Sequence, residues 1–268
     1  MSRIIFLVFF ILFLSSCFNN KEESSIKDPD NLVYHWNNKF QDTIKIKKWL
    51  NKVFIATQNT LGEFPFDVHL HIAVSDRGGE PVPWAHTDRN DTQSVYFYID
   101  TTYTGIDFLN DWTAPHEISH LTLPFLGKKY SWFAEGYATY MQCQILNVMG
   151  QMTKEQVINK YKTKIDKIKS NFLCSSTYLN VLDSLRKKHN YQAMYWGSVN
   201  YFIQADSLLR ENGNQGLNSL IKEYQKCCRN KDDSMQDVLS SLDSLTGHDI
   251  FNNLMKSFSG LPARKLFR

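Results

Sequence analysis

Five residues near the middle of the chain carry its strongest chemical signal: His116-Glu117-Ile118-Ser119-His120. On a helix, residues four apart share one face, so the two imidazoles stand one above the other. Two imidazoles placed that way can grip a zinc ion, which favours nitrogen ligands and four-fold coordination. Glu117 sits at the edge of the same face. It can reach a water on the metal without being a ligand, and so can act as a general base. Zinc lowers the pKa of such a water towards about 7. The bare pattern also occurs on surface helices that hold no metal, so its surroundings must decide.

A catalytic zinc site needs a third protein ligand and one open position. The glycine and histidine of the metzincin extension are absent, because Leu123 and Leu126 stand in their places. Glu135 is the candidate instead, within Trp132-Phe-Ala-Glu135-Gly136-Tyr-Ala-Thr-Tyr140. Pro115 fits only the first turn of a helix, and Pro124 must end that helix about one turn past His120. Ser131 is a good N-cap for the next helix, which puts Glu135 about one turn inside it. If the two helices pack antiparallel, Glu135 and His120 come to the same height. A first-turn glutamate can also be a solvated partner of the helix dipole. Ala134, Gly136 and the surrounding aromatic residues favour burial here.

The elements that position these residues fall into two groups. Ile46, Trp49, Leu50, Val53, Thr57 and Leu61 recur at helical spacing, and Gly62 and Pro65 stop that helix. Residues 31–62 therefore read as an N-terminal helical segment that could cover the site. Val68, Leu70, Ile72 and Val74 then alternate as in a half-buried strand. The Gly-, Pro- and Asp-rich stretch after Val74 reads as a long loop, with His86 inside it and able to reach the rim of a site. Ser94 to Asp100 alternates again and is a second strand. From Trp112 onward the pattern is helical. Helices are predicted over the HEISH motif, from Ser131 to Gly150, after the capping box Thr153-Lys-Glu-Gln156, and over about 176–187, 191–211, 215–226, 234–244 and 249–257. Strands first and helices after predicts an α+β fold: a small antiparallel or mixed sheet lobe, then a mostly helical lobe, with residues 63–268 as one unit.

The first residues predict a location. Arg3 precedes the apolar run Ile4 to Leu14, which is far short of the about 20 residues a membrane span needs. It reads as the apolar core of a signal peptide over residues 1–16. Leu14-Ser15-Ser16-Cys17 resembles the lipobox of bacterial lipoproteins, which implies lipidation of Cys17, a polar tether over residues 17–30, and export to a bacterial membrane. An ordinary secretory signal with an incidental cysteine is the plainer alternative. The resemblance places the anchor on the outer membrane, on its periplasmic side or at the cell surface. Cys143, Cys174, Cys227 and Cys228 remain. Adjacent Cys227 and Cys228 are poor partners for each other, so either Cys174 bridges to one of them or all are free thiols. The net charge of +3, with dispersed basic residues, gives no footprint for nucleic acid. No pattern in the chain fixes an oligomeric state.

HEISH followed by WFAEGYATY resembles the gluzincin zinc metallopeptidases, most of all the catalytic domain of the glycyl aminopeptidase family, over roughly residues 65–265. The resemblance implies a thermolysin-like domain that uses zinc and takes a peptide or protein substrate. It implies that His116, His120 and Glu135 are the metal ligands and Glu117 the general base. Tyr195-Trp196-Gly197-Ser198 resembles the family's tyrosine-bearing helix start, implying that Tyr195 donates a hydrogen bond to the oxyanion. Leu245-Thr246-Gly247-His248-Asp249 and Phe258-Ser259-Gly260-Leu261-Pro262 resemble the turn before the family's last helix and the segment that closes its catalytic domain. It also implies an edge strand beside the zinc helix that pairs with substrate, with Ser94–Asp100 as the candidate. The family's large N-terminal β-domain and C-terminal PDZ domain have no counterpart here. Nor does the G-x-M-E-N motif of other gluzincin aminopeptidases, so endopeptidase and aminopeptidase remain alternatives. A catalytically inactive binding lipoprotein and a zinc hydrolase of a non-peptide amide are the competing readings.

Overall fold

A computed structural model of the chain describes residues 28–37 and 43–267. In order these form β1 (Leu32–Trp36), α1 (Thr43–Leu61), β2 (Val68–Val74), β3 (Trp84–Arg89) and β4 (Gln93–Ile99). Then come α2 (Gly105–Asn110), α3 (Thr113–His120), α4 (Ser131–Val148), α5 (Lys154–Ile168), α6 (Tyr178–Lys187) and α7 (Tyr191–Glu211). The chain closes with α8 (Leu217–Cys227), α9 (Met235–Thr246), α10 (Ile250–Gly260) and α11 (Ala263–Leu266). This is an α+β protein with a small mixed sheet and a mostly helical remainder. Cys17 and residues 1–16 lie outside the described residues. Among those described, no helix is long and apolar enough to cross a membrane.

The strands lie in the order β1-β2-β4-β3. β1, β2 and β4 run parallel, and β3 is antiparallel to β4. Three expectations are corrected here. Leu32–Trp36 is a strand, so the helical reading of residues 31–62 holds only for Thr43–Leu61. Trp84–Arg89 is a strand inside the expected long loop. Its core-side residues Thr87 and Arg89 are polar, which hides the alternation. And β4, expected as the edge, lies between β2 and β3, so the edge strand beside the motif helix is β3.

The buried row of the sheet (Val68, Leu70, Ile72, Val95, Phe97, Ile99) meets one face of α1. Trp49 of α1 packs its ring 5.9 Å from Phe97 and 4.8 Å from Phe108. α1 also packs on α3, α4 and α8, so it belongs to the core and does not cover the site. Its C-terminal carbonyls, Leu61 and Gly62, accept hydrogen bonds from the buried Gln225 side chain of α8 at 3.0 Å each. Unpaired buried carbonyls would cost about 1–3 kcal/mol each, so Gln225 ties the first and second halves of the chain together.

The C-terminal helices follow the predicted spans to within a few residues, and the Thr153 capping box is present. Ser131 differs: its hydroxyl is buried without a partner, because a 3-10 turn at Lys128–Tyr130 feeds straight into α4. The cysteines also differ. Cys227 and Cys228 are bonded to each other where the chain leaves α8, while Cys143 and Cys174 are free. Cys174 sits instead beside α11, its carbonyl accepting from the Arg264 amide at 3.4 Å.

α4 is the central helix, and it crosses α7 at Gly136. A Cβ on Gly136 would lie 2.4 Å from Ser198 Cβ and 2.8 Å from the Ser198 carbonyl carbon. Only a glycine allows this approach, and the approach sets how far α7 stands from Glu135. Overpacking of this kind costs about 1–3 kcal/mol. Gly136→Ala is therefore expected to lower the unfolding free energy by about 1–3 kcal/mol, read as a lower urea midpoint at unchanged m-value; an unchanged midpoint would show that the crossing is loose.

Candidate metal centre

α3 begins where Asp111 accepts a hydrogen bond from the Thr113 amide at 2.8 Å. Asp111 is buried, which raises its pKa to about 6 despite that bond. Pro115 is the third residue of α3, inside the first turn as its missing N–H requires. The far end of α3 is held by two arginines. Arg89 of β3 donates to the His120 carbonyl at 2.9 Å, and Arg229 donates to the Leu121 carbonyl at 2.8 Å. Cations satisfy the unpaired carbonyls at a helix C-terminus and oppose its partial negative charge. Burial and the neighbouring Arg229 charge lower the Arg89 pKa to about 10, so it stays charged at neutral pH.

His116 and His120 are both buried, with ring centroids 4.8 Å apart. Glu135 comes to them from α4. Its Oε2 lies 3.2 Å from His116 Nε2 and 3.7 Å from His120 Nε2. His116 Nδ1 is 3.0 Å from the Gln142 side-chain oxygen, seven residues along α4 from Glu135. That contact puts the ring proton on Nδ1 and leaves the Nε2 lone pair aimed at the cluster. Burial works against the anion of Glu135. The charge of His120 and the hydrogen bonds of both histidines outweigh it and hold the carboxyl well below its usual range.

These three donor atoms fit a metal ion. Two ligands about 2.1 Å from one ion at a tetrahedral angle lie about 3.4 Å apart, between the 3.2 and 3.7 Å found here. Two imidazole nitrogens and one carboxylate oxygen form a donor set suited to zinc. All three ligand atoms lie within 4.8 Å of one another.

Glu117 stands beside this cluster and is tied down by β3. The Thr87 hydroxyl lies 2.7 Å from Glu117 Oε2 and 2.9 Å from the Glu117 carbonyl. Tyr195, in the second turn of α7, faces the same cleft, its ring 6.1 Å from that of His116. Burial and then the charges of Glu135 and Glu117 raise its phenol pKa. The cleft holds about 430 Å³ and is lined also by Glu80, Trp84, His86, Trp112 and Phe125. His86 thus reaches the rim, as sequence allowed, but from a strand. A larger cavity of about 640 Å³ between α4, α5 and α7 is lined by no histidine, so size alone would pick the wrong place.

The structure brings His116, His120, Glu135, Glu117 and Tyr195 to one cleft. Sequence reasoning missed Thr87, Arg89, Gln142 and Arg229. Gln142 had a signal, being polar and two turns from Glu135 on the same face of an apolar helix. The others lie far from the motif in sequence.

No protein-family model matches the chain, and no curated protein matches it. Solved structures do match. An M1 zinc metallopeptidase from Deinococcus radiodurans, in a glutamate-to-alanine variant bound to a Tyr-Ser-Ala substrate, is 14% identical with a TM-score of 0.51. The alignment covers 85% of this chain and 49% of that one. The M1 zinc metallopeptidase from the same organism gives 13% identity and 0.51, over 85% and 48%. A two-domain M1 zinc metallopeptidase variant bound to L-tryptophan gives 12% and 0.52, over 85% and 49%. The chain spans about half the length of these structures. The likeness is one of fold.

Outer partners of metal-binding histidines typically contribute 10- to 100-fold to affinity. Gln142→Leu is expected to weaken zinc binding by about that factor in a chelator competition. Unchanged affinity would remove Gln142 from the centre.

Proposed function

We propose that this protein is a zinc-dependent peptidase. The observation that carries the reading is the convergence of His116, His120 and Glu135 on one point beside a Glu117 carboxylate held by Thr87. In this reading His116, His120 and Glu135 hold the ion. A bound zinc ion supplies Lewis acidity, lowering the pKa of water to about 7 and polarising a carbonyl.

The remaining steps belong to the chain's own groups. Glu117 Oε takes a proton from the attacking water and passes it to the leaving amine. Thr87 fixes the carboxylate so that one oxygen stays directed into the cleft. The Tyr195 hydroxyl donates to the substrate carbonyl oxygen as negative charge develops there, and its raised pKa keeps the proton in place for that bond. β3 has an unpaired edge along the cleft, which suits an extended peptide lying beside it as an added strand. Exposed Trp84, Trp112 and Phe125 give that peptide apolar side-chain contacts.

Glu117→Gln keeps the shape of the side chain and removes its basicity. It is expected to bind zinc as the wild type does and to cleave a peptide library about 10²–10⁴-fold more slowly. Glu135→Ala is expected to lose the metal itself. Wild-type turnover by the glutamine variant would defeat the mechanism; full zinc in the alanine variant would defeat the ligand assignment.

The proposal includes a location. The apolar run Ile4 to Leu14 before Ser15-Ser16-Cys17 supports export and lipidation at Cys17, holding the enzyme on a bacterial membrane. Expressed in a bacterial host, the wild-type chain should sediment with membranes and Cys17→Ala should not. Equal sedimentation of the two would rule out the lipid anchor.

A further inference from the structure

The face of the sheet opposite the buried row of Val68, Leu70 and Ile72 carries a row of rings, one from each strand. The register puts His35 of β1 opposite His71 of β2, His71 opposite Tyr96 of β4, and Tyr96 opposite His86 of β3. Neighbouring rings are 4.3, 4.3 and 4.7 Å apart and within 10° of parallel. That spacing is close to the distance between paired strands, about 4.8 Å, so each strand adds one ring to a stack that crosses the sheet. The stack stops at His86. One face of its ring lies on Tyr96, yet the side chain is exposed and lines the cleft of the metal centre. Among the described residues, no strand lies beyond β3. The next residue, Thr87, is the one that holds Glu117. The open end of the stack is therefore one strand step, about 3.3 Å, from the residue that positions the general base.

We propose that His86 is a specificity-determining residue, stacking on an aromatic side chain (Phe, Tyr or Trp) of a peptide paired with β3, close to the bond to be cleaved. This rests on the reading of the cleft as a peptide site. A strand added at the β3 edge sends every second side chain to the outer face of the sheet. The side chain opposite His86 falls in the ring row, about one strand spacing further out. An aromatic ring there continues the stack and covers the open face of His86, as Tyr96 covers the other. Directly opposed side chains of this kind are the contacts that stabilise strand pairs. Trp84, exposed and two residues back on the same face, has its ring 6.4 Å from that of His86 and tilted by 41°. It does not stack on His86, and it stands where a diagonal neighbour can wall the same subsite. A leucine side chain opposite His86 fills similar space but has no flat face to offer, so the subsite separates aromatic from aliphatic residues.

The test is a binding measurement on the full, zinc-loaded chain carrying Glu117→Gln, so it needs no turnover. Two blocked peptides of alanine and serine are compared, one with a single central Phe and one with Leu in its place. The Phe peptide is expected to bind about 2- to 10-fold more tightly. Adding His86→Ala is expected to bring the ratio to about one, and His86→Phe, which keeps a ring, to restore it. Equal affinity of the two peptides overturns the proposal, and so does a ratio that His86→Ala leaves untouched. Turnover by the wild type is read separately. If it cleaves neither peptide while the ratio holds, the peptidase reading fails and the stacking subsite stands. If it cleaves both and they bind equally, the subsite fails and the peptidase reading stands.

Discussion

Glu135 places a carboxylate against two buried imidazoles, and the rest of the structure is arranged around that contact. A buried charge costs several kcal/mol unless it is paired and hydrogen-bonded. Here the partners are His116 at 3.2 Å and His120 at 3.7 Å, on a different helix. The contact survives only if α3 and α4 keep a fixed separation and a fixed rotation. α3 is just eight residues long, too short to be stable by propensity. It must be held at both ends: by Asp111 at the first turn, and by Arg89 and Arg229 at the last carbonyls. α4 is held by burial along its length and by the close crossing at Gly136.

The sheet does a second job through β3. One face of that strand sends Thr87 to Glu117 and Arg89 to the end of α3. The other face carries His86, stacked on Tyr96 of β4 at 4.7 Å. Ala85 is the one apolar residue of the inner row, and pairing to β4 holds the strand along its length. This explains why the strand reads as loop. Its hydrophobic alternation is gone because its inner residues serve a helix end and a carboxylate instead of an apolar core.

Sequence reading goes far where the determinants are local. His116 and His120 share a face because of their spacing, Pro115 and Pro124 bracket the helix, and the 15-residue step to Glu135 follows from two short helical spans. The α+β order and the long helices α4 to α10 follow from periodicity and caps in the same way. The unread parts are those fixed by distant partners. Arg229 reaches α3 across 108 residues of chain, and Gln225 reaches Leu61 across 164. β1 is short and joins its sheet by parallel pairing to β2, so no hairpin turn announces it. The Cys227–Cys228 bond depends on how the chain leaves α8, which no spacing rule describes.

Two guanidinium groups close to a centre suited to a cation look at first like a contradiction. Their geometry resolves it. Arg229 donates to Leu121 and Gln93 and covers the ring of Phe66 at 4.9 Å, so its charge is directed at the helix end. Arg89 is the nearer of the two, and Glu117 and Glu135 both act to stabilise its charge. The carboxylates of Glu80, Glu117 and Glu135 against the one guanidinium of Arg89 leave the lining of the cleft net negative before any ion enters. That balance favours a divalent cation. Arg89 thus links the helix end to the cleft: the side chain that holds the His120 carbonyl also carries the positive charge nearest the two glutamates.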